Sequence, residues 1–291
     1  MIKVQIQLPI NINRRFEEML GEHFEANQKN YKDKIEIKNA HGSGSEREAD
    51  IKNADILIGF IPELAMQTDE EMRGQMMSTV NRFPISKTLE DMGFVDPQGY
   101  FHTFGIVPFV IFYNPEYTAA AELPRTWNEL LDSKWKGRIL MPGKEHIAPK
   151  VIRAILKHQN PSKAHIVDEN ITYKGMPPNV IQAVKNGEFA LGIANITFGK
   201  ISETQNIKMI WPNDGLLCMP QMIAWKKGSE ENLLKLGDFL LSPKVQTFLS
   251  QQAFIPVAPG NEPSEIIKRD DISLKWAGWN DFREAMRNSE S

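Results

Sequence analysis

Phe104-Gly-Ile-Val-Pro-Phe-Val-Ile-Phe-Tyr113 is a ten-residue run, almost wholly apolar, split by Pro108. Leu216-Leu-Cys-Met-Pro-Gln-Met-Ile-Ala-Trp225 repeats the pattern around Pro220 and gives way to polar Lys226-Lys227-Gly228. A proline cannot donate inside a central ladder. Each run therefore reads as two strand pieces joined at a bend, where the chain leaves one sheet and enters another. The first run is the departure and the second the return. On this reading residues 1–105 and 225–291 form one discontinuous lobe, and 106–224 form a second lobe inserted into it.

The flanking sequence supplies the layers. Residues 2–8 alternate apolar and polar, as a half-buried strand does. A helix is expected over 13–29, with Phe16, Met19, Leu20 and Phe24 on one face. Alternation returns over Lys34–Lys38, and Ala54-Asp-Ile-Leu-Ile-Gly59 suits a buried parallel strand. Beyond Tyr113 a second series follows: a helical Trp127–Leu131, a strand over Gly137–Met141, helices over Ile147–Lys157 and Asn179–Asn186, and strands over Ala190–Ala194 and Ile207–Trp211. Helices near 229–241 and 243–252 then rejoin the first lobe. Alternating strands and helices imply α/β lobes with parallel sheets and right-handed crossovers.

Composition narrows the function. The 291 residues carry 34 Lys+Arg against 37 Asp+Glu, a net charge of −3. At about 150 residues per domain the length fits two domains. A near-neutral chain without a basic run excludes nucleic acid as a partner, because phosphate binding needs a clustered positive field. No run approaches the roughly 18 apolar residues of a membrane span, so no membrane insertion is expected. The single cysteine, Cys218, permits neither an intrachain disulfide nor a cysteine metal cage. The first eight residues read as a strand and not as a signal peptide, so the chain is either natively without an export signal or has lost one.

Several motifs recur in a familiar order. Val107-Pro-Phe-Val-Ile-Phe-Tyr-Asn114 precedes Pro124-Arg-Thr-Trp-Asn-Glu-Leu-Leu131 and Lys134-Trp-Lys-Gly-Arg-Ile-Leu-Met-Pro142. Then come Trp211-Pro-Asn-Asp-Gly215, Lys227-Gly-Ser-Glu-Glu-Asn232, Phe239-Leu-Leu-Ser-Pro-Lys-Val-Gln246 and Ile255-Pro-Val257. The series resembles the extracellular solute-binding proteins of ABC importers, in the group that includes ferric-iron-binding proteins. The resemblance implies the two-lobed type II periplasmic-binding fold: two mostly parallel mixed sheets flanked by helices, two crossover strands and a ligand cleft between the lobes. Iron-binding members carry adjacent tyrosines after a second-lobe strand. Here that stretch reads Ala194-Asn-Ile-Thr-Phe198, without a tyrosine. They also often carry an acidic ligand after the strand matching Ala54–Gly59, where this chain has Phe60, with Glu63 three residues on.

The candidate binding residues sit at strand ends. His41-Gly-Ser-Gly-Ser45 follows an expected strand; Ser43, Gly44 and Ser45 either form an anion-cradling nest or a surface turn. Met141-Pro-Gly-Lys-Glu-His146 leads into a helix whose N-terminus attracts anions, and Lys144 and His146 add charge and donors. Asn11 follows the first strand, while Asn195 and Thr197 follow the 190–194 strand; their amide and hydroxyl groups can hold ligand oxygens or cap helices. His102 precedes the first crossover, and Gln221 flanks Pro220 on the second. His41, His102 and His146 are the candidates for a transition-metal site, since imidazole suits such ions, although no short His spacing ties them together. Trp127 and Trp135 read as core residues.

No nucleophile–base pair, carboxylate pair or cofactor motif is present, so no enzyme and no cofactor is expected. The leading reading is a monomeric solute receptor that takes a metal species or small anion, closes by a hinge and presents the ligand to an ABC permease. It would work in the periplasm or outside the cell if an export signal was removed. The alternative is a cytosolic sensor or carrier module on the same fold.

Overall fold

The computed structural model describes residues 1–31, 34–39, 51–62, 64, 67, 69–78, 82–198, 206–228, 230–261 and 273–288. In chain order its strands are β1 (Ile2–Gln7), β2 (Ile35–Asn39), β3 (Ile56–Gly59), β4 (His102–Tyr113), β5 (Ile139–Met141), β6 (Ile171–Tyr173), β7 (Leu191–Asn195), β8 (Lys208–Ile210), β9 (Leu216–Trp225), β10 (Ile255–Pro256) and β11 (Leu274–Lys275). The helices are α1 (Ile10–Ala26), α2 (Asp69–Gln75), α3 (Lys87–Asp91), α4 (Ile147–Gln159), α5 (Ala164–Asn170), α6 (Pro177–Lys185), α7 (Glu230–Leu240), α8 (Pro243–Gln251) and α9 (Trp279–Asn288). They fall into two compact units. The first holds Met1–Ile106 and the chain that returns at Pro220; the second holds Val107–Met219 and the segment carrying β11 and α9.

In the first unit β1 lies between β2 and β3, parallel to both, with Val4 opposite Ile37 and Ile56. Val4 and Ile6 are buried with Phe16, Met19 and Leu20 of α1, but the expected half-exposed alternation is not seen, since Gln5 and Gln7 are buried as well. Phe16 carries the contact to β4, its ring 5.8 Å from that of Phe104. Burying an aromatic side chain of this size contributes roughly 1.5–3 kcal/mol. The last residues of β9 pair antiparallel with β3, from Ile56–Trp225 to Gly59–Met222. Gly59 has φ +117°, and a Cβ there would collide with the Gln7 carbonyl, so only glycine lets β1 and β3 end side by side.

The second unit is built around the far half of β4. Phe109–Tyr113 pairs antiparallel with β7, and Ile111–Tyr113 with β8. β5 lies parallel to both β7 and β6. Gly192 in β7 lets α6 close in, since a Cβ there would stand 2.8 Å from Val180 Cγ1 and Val184 Cγ2. Trp127 and Trp135 are fully buried core residues. The indole N–H of Trp127 donates to Gly215 O at 2.9 Å, and its backbone N–H donates to Asp214 at 3.2 Å.

The structure departs from the sequence reading in three further places. β4 and β9 are not broken at their prolines; they run on as strands of 12 and 10 residues. Pro108 falls between the part of β4 paired with β10 and the part paired with β7, so its missing N–H lies between two ladders. The 3-residue β6 and the helix α5 before it were not foreseen. Finally, the chain after 225 does not all rejoin the first lobe: β11 pairs with Leu216–Leu217 and α9 packs on α4, both in the second unit. The reason is the strongly amphipathic α9, whose buried Trp279, Phe282, Ala285 and Met286 need an apolar surface, and α4 offers Val151, Ile152 and Ile155.

One buried carboxamide ties the first unit together. Gln246 of α8 is 0% exposed, and its Nε2 donates to Phe104 O and to Leu240 O, both at 2.8 Å. Its Oε1 accepts from the N–H groups of Val257 (2.7 Å) and Ala258 (3.1 Å). Gln246→Leu leaves all four backbone groups without this partner. It is expected to destabilise the protein by about 2–4 kcal/mol, within the range for loss of a buried network, as a lower midpoint in urea unfolding.

Candidate functional site

In open α/β sheets ligands bind beyond the carboxyl ends of the strands. In the second unit β5, β6 and β7 end together. Met141 pairs with Tyr173, and Leu140 with both Thr172 and Gly192. On that register Asn195 lies level with Gly143. Backbone bonds pin the loop after β5: Gly143 N–H donates to Gly175 O at 2.9 Å, Lys174 N–H to Met141 O at 3.0 Å and His146 N–H to Gly143 O at 3.0 Å. The loop opens α4, with His146 as N-cap residue. No side chain caps that terminus and no acid stands in its first turn. Lys144 reaches over the Tyr173 ring, its Nζ 4.9 Å from the centroid. His146 Nε2 is enclosed without a hydrogen-bond partner, 3.6 Å from Glu145 Oε1. Glu145 folds back over Gly143, where a Cβ would meet its carboxylate. The sequence candidates Lys144, His146, Asn195 and Thr197 thus follow adjacent strands at one edge of this sheet.

Tyr173 was missed by sequence reasoning. Its hydroxyl is buried with no hydrogen-bond partner, and burial pushes its pKa up, with the Asp168 carboxylate adding to the shift. The available signal was the short Ile171-Thr-Tyr173 run before Gly175 and two prolines. Beside it, Asp168 accepts from Arg153 Nε at 2.6 Å and from Lys157 Nζ at 2.5 Å. Despite some burial, these bonds hold the Asp168 carboxyl down at about 2.

In the first unit Gln7 and Gly59 are level with Met222, so the carboxyl ends of β1 and β3 adjoin β9 just past Gln221. Asn11 stands in the first turn of α1, immediately after β1. The polar groups described here are neutral: Gln7, Asn13 and Gln221 are all buried carboxamides. His41, Ser43, Gly44, Ser45 and Glu63 lie outside the described residues.

His102 is placed differently from expectation. Its ring stacks on Trp225 (4.9 Å, 14°) and meets Phe83 edge-on at 5.2 Å. Trp225 pairs with Ile56, the first residue of β3, whereas the candidate loops follow Gly59, its last. His102 therefore sits at the amino-terminal edge of the strands, as an aromatic core group. Among the described residues no three His, Cys, Asp or Glu side chains are grouped to hold a metal. Cys218 is fully buried; its S–H donates to Leu216 O at 3.1 Å and burial pushes the thiol pKa up.

The family profile of bacterial extracellular solute-binding proteins matches residues 52–285. The chain belongs to that family. No curated protein matches it significantly in sequence. Solved structures that resemble it include a ferric binding protein from Campylobacter jejuni, with TM-score 0.77 and 18% identity over 100% of this chain and 97% of that one. The apo ferric ion-binding protein A of Pasteurella haemolytica follows at 0.73 and 17%, over 99% and 95%. A Trichodesmium protein solved in complex with iron and citrate ligands matches at 0.68 and 17%, over 99% and 96%. The fold of this solute-binding protein is thus the two-lobed α/β fold of periplasmic binding proteins, and its family and structural relatives are binding proteins, not enzymes. No helix among the described residues is long and apolar enough to cross a membrane.

Burial holds the His102 pKa down to about 4 from 6.5, against a raising contribution from a hydrogen bond with the Gly99 backbone. Between those values the unfolded chain binds the proton that the folded chain refuses. Stability therefore falls as pH drops from about 6.5 toward 4, by on the order of 3 kcal/mol from this group. Denaturant titrations across that range should show a shallower pH slope for His102→Phe than for the parent protein.

Proposed function

We propose that this solute-binding protein captures a small anionic ligand outside the cytoplasm, as a monomer, and hands it to the permease of an ABC importer. The observation that carries this reading is the uncapped N-terminus of α4, which follows a backbone-pinned loop bearing Lys144 and His146. The first N–H groups of a helix favour negative charge, and neighbouring cations and imidazole donors strengthen the attraction. Asn195 and Thr197 add amide and hydroxyl groups from the adjacent strand. The family supplies the rest, a small ligand and a transporter.

The three similar structures described above are ferric-binding proteins or hold iron. In this chain the stretch after β7 reads Asn195-Ile-Thr-Phe198 and offers no phenolate. The anion reading accommodates a metal only inside an organic chelate. Titration with ferric ion is accordingly expected to give no visible phenolate-to-iron charge-transfer band, and the appearance of one would overturn this part of the reading.

Mass spectrometry of the purified protein under native and denaturing conditions identifies a retained ligand. Calorimetry with a panel of small phosphates and carboxylates then tests the loop. Lys144→Ala and His146→Ala should each weaken the best binder by about 1–3 kcal/mol, the range for hydrogen bonds to charged groups. Glu145→Gln should tighten it a few-fold, because the Glu145 carboxylate over Gly143 competes with an incoming anion. Unchanged affinity in all three variants would remove the loop from the site.

A further inference from the structure

Gln221 of β9 is a buried polar side chain at the strand ends of the first unit. It is 1% exposed, and its Oε1 has no hydrogen-bond partner. Its Nε2 makes a single long contact, 3.5 Å to the carbonyl of Pro220. Turning the amide over would set two carbonyl oxygens against each other, so the assignment of Oε1 as the free end stands. The next residues along the strand, Met222 and Ile223, are buried hydrophobics. A leucine or methionine would serve packing there without burying an unpaired acceptor. Gln246 shows what this fold does with a purely structural carboxamide: all its groups are engaged. Position matters equally. Gln221 immediately precedes Met222, which is level with the ends of both β1 and β3. That is the edge where an open α/β sheet presents ligand contacts.

We infer that Gln221 Oε1 accepts a hydrogen bond from the ligand, and that the ligand is therefore a small organic anion bearing a hydroxyl group. A carbonyl oxygen only accepts, so its partner must bring an O–H or N–H. An ammonium would call for a carboxylate beside it, and the polar groups described at these strand ends are neutral carboxamides, which favours a hydroxyl. Ionised carboxylates and fully ionised phosphates have no such donor. A bare cation on Oε1 would need acidic co-ligands, and the described residues group none around it. This rests on the reading of the chain as a receptor for a small anion and adds the second chemical group that the anion must carry.

The test compares twins that differ by one hydroxyl: 2-hydroxyethyl phosphate with ethyl phosphate, malate with succinate, and citrate with tricarballylate. Each is titrated calorimetrically into the parent protein and into Gln221→Leu, with Gln221→Met as the second variant should the first fold poorly. A site that hydrogen-bonds a ligand hydroxyl rejects the analogue lacking it, because its own polar group is left unpaired. In the parent at least one hydroxylated twin should bind about tenfold or more tightly than its partner. In the variant the gap should close to about twofold or less, while the melting temperature without ligand holds or rises. Twins of equal affinity in the parent, or a gap that persists in the variant, overturn the assignment of Gln221 and leave the anion reading standing. Failure of every anion to bind overturns both.

Discussion

The fold hangs on the antiparallel pairing of Ile56–Gly59 with Met222–Trp225. Without it the chain leaves the first unit along β4 and has nowhere to return. With it, β9 reaches the growing edge of a three-stranded parallel sheet and α7 and α8 are delivered onto the same core. Gln246 then bolts the returning helices to β4 through Phe104 O and to the following segment through Val257 and Ala258. The pairing is long-range by nature, since it joins residues separated by well over a hundred positions. Loop-closure entropy grows only logarithmically with such separations, so the cost is kinetic more than thermodynamic.

Much of this was legible in the amino-acid sequence, and the failures have physical causes. The two proline-split apolar runs marked both crossing strands because a fully buried strand has to be apolar on both faces. The same runs misled about their interior, since a proline between two ladders interrupts nothing. The strand-end positions of Lys144, His146, Asn195 and Thr197 followed from strand ends, which hydrophobic runs delimit well. His102 could not be placed that way: which end of a strand a residue occupies depends on strand direction within the sheet, and only the register of Trp225 against Ile56 fixes that. Tyr173 escaped because a strand of three residues carries almost no periodicity. The destination of α9 was invisible because an amphipathic helix declares that it must be buried and says nothing of where.

The two units offer different chemistry at their strand ends. In the second unit a cation, an imidazole and an uncapped helix N-terminus gather after β5, at the start of α4. In the first, the described groups are carboxamides with no formal charge. Amides recognise geometry and donor–acceptor pattern, whereas ammonium groups and helix termini recognise charge and tolerate variety.

Cys218 has a consequence of another kind. A lone thiol in an oxidising compartment invites disulfides between molecules, and this family is extracellular. Here the sulfur is sealed inside β9 and kept as the protonated, unreactive form. That protection exists only once β9 is in place, and the return of β9 is among the most sequence-distant steps in the fold. The newly made chain therefore carries an open thiol for as long as it takes to complete its sheet, so the speed of folding, and no feature of the finished surface, decides whether molecules become cross-linked.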